Sequence, residues 1–471
     1  MNFYSDIDRY EDRFAVVCQN GDRMTYKQFL SDADGILEGT KKRTLLFLVC
    51  ENCIESVCAY IGALRKEIVP VMINAKIEGS LFENLCKAYR PTYLYAPKEW
   101  KNLKEADYLR LRDYRGYTLY ETRFVKDYEL SEELALLLTT SGSTGSPKLV
   151  RQSYRNITSN ANAIADYLKI GKEDRAITTM PMSYTYCLSI INSHFLRGAC
   201  MILNEYSVIQ REFWSVFHRE KPTTFGGVPF IYEQLKALRF GRMELDSLTY
   251  ITQAGGKLSR EMAEEFYGIC KEKGIRMIVM YGQTEATARM SYLPWESALT
   301  KAGSIGIAIP GGQFMLIDEN GEEIDAPNVV GELVYRGENV TLGYADSCYD
   351  LKLGDENHGV LYTGDMAKRD ADGFYYIAGR KKRFLKMYGN RVNLDEVEEL
   401  LKKQGYTCAC TGEDDRLAVY VTEEGEDVSK EIKAFLSRSL GLAAKGLEVL
   451  TISEIPRNEA GKIQYSALAK G

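Results

Sequence analysis

The segment most suited to chemistry is Leu134–Val150, in which an apolar run passes directly into Thr139-Thr140-Ser141-Gly142-Ser143-Thr144-Gly145-Ser146-Pro147-Lys148. Small residues let consecutive backbone N–H groups converge on an anion, hydroxyls add donors, and Lys148 adds a positive charge; together they make a phosphate-binding loop. It is not a Walker A loop, because the Gly-Lys-[Ser/Thr] ending is absent. A bare Ser/Gly surface turn is the alternative, but such linkers seldom sit tight against a buried strand. Only three histidines occur, His194, His218 and His358. Catalysis by this chain is therefore expected to rest on phosphate positioning, Lys/Arg charge and a metal ion rather than on a histidine base.

Eleven cysteines in a chain with no recognisable secretory leader point to reduced thiols rather than a disulfide framework. The spacing Cys50-Glu51-Asn52-Cys53, with Cys58 behind it, invites a redox or zinc reading, yet no histidine lies near enough in sequence to complete a ligand set. Burial as small hydrophobes is the expectation for these thiols.

The elements that must position the loop show an α/β rhythm. Thr25 with Gln28 forms a capping box opening a helix that Gly35 or Gly39 ends. Leu45–Cys50 is expected as a buried strand, Ile54–Leu64 as a helix and Ile68–Ile73 as the next strand, a βαβ pattern. Another cycle runs through Ala176–Thr179, a long apolar helix from Tyr186 to Leu196, and Cys200–Leu203. Beyond Gly312 the texture changes. Phe314–Ile317, Gly331–Tyr335 and Phe374–Ile377 read as strands separated by Asp-Glu-Asn-Gly and Asp-Ala-Asp-Gly turns. A basic run, Arg380-Lys381-Lys382-Arg383, then leads into a small α+β tail. There Asn393 caps a helix with Glu396 at its third position, Arg416–Val421 is a strand and Val428–Leu440 a second amphipathic helix. The fold class is α/β: a large N-terminal body of α/β layers with a β-rich subdomain, and a small mobile α+β C-terminal domain, divided as 1–381 and 382–471.

Bulk composition narrows the function. The 471 residues are 45% hydrophobic and 27% charged, with a formal net charge of −6, so a basic footprint for nucleic acid or anionic membrane is absent. The longest apolar run, near Thr44–Val49, is far short of the roughly 20 residues of a membrane span. A cytoplasmic protein is the expectation.

Six motifs in order resemble the adenylate-forming superfamily, which comprises acyl- and aryl-CoA synthetases, adenylation domains of nonribosomal peptide synthetases, and firefly luciferase. They are the loop Thr140–Lys148; Gln253-Ala254-Gly255-Gly256-Lys257-Leu258; Tyr281-Gly282-Gln283-Thr284-Glu285; Tyr362-Thr363-Gly364-Asp365; Gly379-Arg380; and Pro456-Arg457-Asn458-Glu459-Ala460-Gly461-Lys462-Ile463. The resemblance spans about Arg13 to Leu468. It implies that a carboxylic acid attacks the α-phosphate of ATP, giving an acyl-AMP and pyrophosphate, and that the acyl group then passes to a thiol.

In that scheme Thr140, Ser141, Gly142, Ser143, Thr144, Gly145 and Lys148 hold the phosphates. Gly255 and Gly256 lie under the adenine, Tyr281 stacks on it, and Gly282 and Gln283 belong to the same binding turn. Thr284 reaches the α-phosphate and Glu285 is the Mg²⁺ ligand. Asp365 accepts from the ribose hydroxyls with Arg380 beside it, and Lys462 bridges the α-phosphate and the acid. Lys382 is the hinge about which the C-terminal domain turns, and Lys386, with Met387–Gly389, serves the thioester step.

Tyr184 and Thr185 fall in the acid pocket. An amino-acid-activating relative would have an aspartate where Thr185 stands, so an α-amino acid is disfavoured. The acyl acceptor is expected to be coenzyme A. The alternative is the phosphopantetheine of a carrier protein acting in trans. A luciferase-like oxygenase and a non-catalytic nucleotide-binding module are the remaining readings.

Overall fold

The computed structural model describes residues 2–103, 108–139, 148–387, 390–425, 427–440, 442–457 and 463–468. It divides into two compact units, the first formed by Met1–Phe314 and Tyr335–Leu361, the second by Met315–Val334 and Tyr362–Gly471.

The first unit is built on two large sheets. One has nine strands in the order Ile307–Ala308, Ser291–Tyr292, Arg276–Tyr281, Tyr250–Gln253, Thr224–Gly227, Arg175–Ile177, Cys200–Leu203, Phe14–Cys18, Arg23–Thr25. Its six central strands run parallel, and antiparallel strands close both edges. The other has eight strands, in which Tyr93–Pro97, Leu45–Cys50, Val69–Asn74 and Leu134–Thr139 are parallel neighbours. Every residue of Leu45–Cys50 is buried, as is Leu134–Leu138. That is why these strands read as unbroken apolar runs instead of alternating ones.

The expected helices are present. Thr25 and Gln28 form a reciprocal capping box on Tyr26–Ile36. Ile54–Arg65 is buried along most of its length, and Thr185–Leu196 is buried from Tyr186 onward. The turns that carry chemistry leave the carboxyl ends of the parallel strands, which is where open α/β sheets place ligands.

In the second unit, Val360–Arg369 pairs antiparallel with Tyr375–Arg380. Further along, Cys408–Glu413, Arg416–Val421 and Leu447–Thr451 form a three-stranded sheet. Helices Leu394–Lys403 and Val428–Leu440 pack on it around Val397, Leu401, Val419, Ile432 and Leu436. Asn393 does cap the first of these helices, but its side chain accepts from the Asp395 amide, the second position rather than the third.

All eleven cysteines are free thiols. Among the described residues no cluster of three or more His, Cys, Asp or Glu could hold a metal, and no helix is long and apolar enough to cross a membrane.

Candidate active site

Two of the motifs leave adjacent parallel strands of the nine-stranded sheet. Tyr250–Gln253 delivers the loop with Gly255 and Gly256, and Arg276–Tyr281 delivers Gly282, Gln283, Thr284 and Glu285. Gly255 has φ +83°, and a Cβ there would stand 2.6 Å from the Tyr184 hydroxyl. Tyr184 thus lies directly on the backbone of the loop expected under the adenine, and its burial pushes the phenol up to about 12. Gln283 Nε2 donates to the Tyr281 hydroxyl at 3.0 Å.

The turn after Tyr281 is held by its carbonyls. Thr341 donates to the Glu285 carbonyl from both its amide and its hydroxyl, each at 3.0 Å. Asn339 Nδ2 donates to the Ala286 carbonyl at 2.9 Å. The Thr287 carbonyl receives the Thr185 hydroxyl and, at 3.3 Å, Gln152 Nε2. Thr287 itself sits at φ +66°, ψ −55°, costly for a β-branched residue and maintained only where surroundings over-determine it. The Thr185 bond joins the residue expected in the acid pocket to the Glu285 turn.

At the side chain of Glu285, Tyr344 donates its hydroxyl to Oε1 at 2.6 Å. The Lys148 ammonium lies 4.0 Å from the centroid of the same tyrosine ring, a favourable cation–π contact. Tyr344 therefore ties Lys148, the last residue of the expected phosphate loop, to the expected metal ligand, a link invisible in the sequence. Thr140, Ser141, Gly142, Ser143, Thr144 and Gly145 lie outside the described residues, as does Lys462. A lone carboxylate such as Glu285 suits Mg²⁺, which is usually bound through one or two carboxylates plus substrate phosphates and water.

Asn52, within the Cys50–Cys53 spacing, is a second support of the expected site that sequence reasoning missed. Its Nδ2 donates to the carbonyls of Met180 and Asn204, both at 3.0 Å, and its Oδ1 accepts from the Met182 amide at 2.9 Å. It fixes the segment leading into Tyr184 and Thr185. Cys50 and Cys58 are buried, and their environment raises both thiols far above their usual range, chiefly by desolvation. The packing reading holds for them.

The second unit brings together the other pair. Asp365 and Arg380 are direct cross-strand partners, and Arg380 Nε lies 2.7 Å from Asp365 Oδ1. The three described cations of the basic run each have an acidic partner. Lys381 pairs with Glu332 at 2.6 Å. Arg383 pairs with Asp395 and with Glu398 (2.6 Å), donates to the Cys410 carbonyl and stacks on Tyr465 at 3.9 Å. Lys382 lies in a short 3-10 turn and Lys386 in the strand Phe384–Met387; their side chains lie outside the described residues.

Among known proteins, the model for the AMP-binding enzyme family matches residues 3–345. A medium-chain fatty-acid–CoA ligase of Escherichia coli (strain K12) is 26% identical, the alignment covering 98% of this chain and 88% of that protein. The o-succinylbenzoate CoA synthetase of Bacillus subtilis, solved with its acyl-adenylate intermediate, superposes with a TM-score of 0.80 at 19% identity, covering 100% of this chain and 98% of that one. The same enzyme solved with ATP and magnesium gives a TM-score of 0.79 at 19% identity, covering 100% and 99%.

Proposed function

The chain belongs to the AMP-binding enzyme family, and from that premise we propose that it is an ATP-dependent acid–CoA ligase, acting through an acyl-AMP. The observation that carries the reading is the pair of motif turns on adjacent parallel strands, one ending in a clamped Thr284-Glu285 whose carboxylate is tied through Tyr344 to Lys148. Similarity over nearly the full length to a CoA ligase supports coenzyme A, not a carrier-protein phosphopantetheine, as the thiol acceptor.

In the first half-reaction a carboxylate oxygen of the acid bonds to the α-phosphorus and pyrophosphate leaves. In the second, the thiol sulfur bonds to the acyl carbon, its proton is lost, and AMP leaves. Negative charge gathers on the phosphate oxygens, so donors fixed in advance contribute most. Thr284 and Lys148 are assigned to the phosphates, and Gly255, Gly256, Tyr281, Gly282 and Gln283 to the adenine. Asp365 takes the ribose, with Arg380 positioning its carboxylate. Glu285 would hold Mg²⁺, which when bound supplies phosphate charge neutralisation. Thr140–Gly145, also assigned to phosphate, and Lys462, assigned to join acid and α-phosphate, complete the set. We assign the hinge to Lys382 and the thioester-state contact to Lys386, with the moving domain taken as 382–471.

The test is ATP–pyrophosphate exchange across a panel of acids, with and without Lys462→Ala, followed by thioester detection on adding coenzyme A. Exchange that depends on an acid and collapses in the variant is expected. Exchange unaffected by Lys462→Ala, or none with any acid, refutes the reading.

A further inference from the structure

Arg151 is completely buried. It lies three residues beyond Lys148, on the strand Leu149–Ser153, and its guanidinium is fully engaged. Nε donates to the Tyr344 carbonyl at 2.9 Å. Nη1 donates to the carbonyls of Leu353 and Gly354, and Nη2 to the Leu342 carbonyl at 3.0 Å and to the Glu356 carboxylate. Apart from Glu356 these acceptors are all backbone, and the Glu356 side chain is half-exposed. Burial pulls the guanidinium below its usual range. A buried cation with one partly solvated counter-charge is weak evidence of a stabilising role. What it fixes is geometry.

The geometry is that of Tyr344. Gly343–Ala345 is a three-residue strand at the edge of the eight-stranded sheet, paired with Leu149–Ser153. Tyr344 is 37% exposed, so packing alone does little to hold it. Its hydroxyl is nonetheless delivered to Glu285 Oε1 at 2.6 Å, and its ring lies 4.0 Å from the Lys148 ammonium. The neighbouring residue shows the same constraint. Gly343 has φ +124°, and a Cβ there would stand 2.8 Å from Glu356 Oε2 and 2.9 Å from Arg151 Nη2. On the other side of Tyr344, the Tyr89 hydroxyl donates to the Ala345 carbonyl at 2.6 Å. The backbone carrying Tyr344 is thus clamped on both sides.

Resting on the assignment of Glu285 to Mg²⁺ and of Lys148 to phosphate made above, we propose that Arg151 is a positioning residue for the ATP half-reaction. It holds the Tyr344 backbone, and Tyr344 in turn sets the Glu285 carboxylate and the Lys148 ammonium for the triphosphate. AMP lacks the β- and γ-phosphates. A fault confined to Glu285 and Lys148 therefore weakens MgATP far more than AMP, whereas a general loosening of the fold weakens both.

Titration calorimetry without acid gives the affinities for MgATP and for AMP, with the unfolding midpoint measured alongside. The proteins are the parent, Arg151→Lys, Arg151→Met, Glu356→Gln, Tyr344→Ala and the double variant Arg151→Lys/Tyr344→Ala. Lysine keeps the charge but not the planar fork that reaches several carbonyls at once. Arg151→Lys should lower the ratio of MgATP to AMP affinity about 3- to 10-fold, the scale of one lost hydrogen bond, with AMP affinity retained. Arg151→Met should lower it further. Glu356→Gln, at a half-exposed position, loosens the same clamp; a smaller fall in the ratio is expected, and it decides the matter if neither arginine variant folds. In the Tyr344→Ala background Arg151→Lys should add nothing, because its route to the phosphates is gone. Equal losses for MgATP and AMP, a ratio that no variant changes, or a full further loss in the Tyr344→Ala background overturns the proposal and leaves the ligase reading standing. A parent that binds neither nucleotide removes the ligase reading, and this proposal with it.

Discussion

Gly282→Ala is the sharpest probe of how the catalytic turn is built. A Cβ at this position would stand 1.7 Å from the Ala288 carbonyl oxygen and 2.8 Å from Arg289 Cα, both of them backbone atoms. Ordinary contact begins at 3.4 Å, so the two segments would have to part by 3.4 − 1.7 = 1.7 Å. No rotamer change can absorb that. Overpacking of this kind costs about 1–3 kcal/mol. The Met290 amide bond to the Tyr281 carbonyl, 2.8 Å long, would stretch as well, adding about 0.5–1.5 kcal/mol. A loss of about 2–4 kcal/mol in unfolding free energy is expected on these grounds. Because Thr284 and Glu285 ride on the displaced turn, exchange should fall about 100-fold, the cost of a misplacement near 1 Å. Urea denaturation and ATP–pyrophosphate exchange, run well below the variant's midpoint, measure both. Gly268→Ala is the matched control. It lies inside helix Arg260–Glu272 with nothing within 4 Å of its Cβ and should stabilise by about 1 kcal/mol. A Gly282→Ala enzyme with the parent's midpoint and exchange rate would refute the close-approach argument.

Tyr344→Phe keeps the ring under Lys148 but removes the hydroxyl on Glu285, so the Mg²⁺ concentration for half-maximal exchange should rise several-fold, by roughly the 0.5–1.5 kcal/mol of one hydrogen bond, with an unchanged unfolding midpoint; an unchanged Mg²⁺ dependence would remove Tyr344 from the site. For His194, burial pulls the imidazole down to about 4, so it stays neutral in the fold. Above the ordinary value near 6.5 the stabilisation is fully present, and it is lost as pH falls from there towards 4, because the unfolded chain binds the proton first. His194→Gln should flatten the stability–pH curve in that window by on the order of 2–3 kcal/mol relative to the parent, read by denaturation at stepped pH; parallel curves would show that the ring titrates normally.

Buried parallel strands announce themselves, because both faces are apolar and the run is continuous. Leu45–Cys50 and Cys200–Leu203 match the sequence reading to the residue. Sheet order does not announce itself. Phe14–Cys18 joins Cys200–Leu203 across nearly two hundred residues, and a three-residue strand such as Arg175–Ile177 carries too little pattern to assign its neighbours. Local chemistry decides whether a strand exists; long-range pairing decides where it lies. The basic run shows the same divide. Arg380, Lys381 and Arg383 read in sequence only as a run of charge, and their partners Asp365, Glu332, Asp395 and Glu398 come from separate elements.

The site was legible where a ligand dictates residue type and illegible where the protein supports itself. Glu285, Asp365 and Arg380 are assigned by their motifs to metal and ribose, and a ligand of that kind dictates residue type. The groups that immobilise the Glu285 turn and the segment before Tyr184 bond mostly to backbone carbonyls, which every residue possesses. Asn339 on Ala286, Thr341 on Glu285, Gln152 on Thr287 and Asn52 on Met180 therefore leave no spacing rule behind. Thr287 makes the consequence physical. A threonine at φ +66° is unfavourable on its own, yet its carbonyl and hydroxyl are held by Thr185, Gln152 and Asn339. The strain thus sits two residues from the expected metal ligand and is bonded to Thr185, the residue expected in the acid pocket. Chemistry that concentrates charge between two anions needs a turn that does not relax, and in this fold rigidity comes from carbonyl clamps, not from the motif itself.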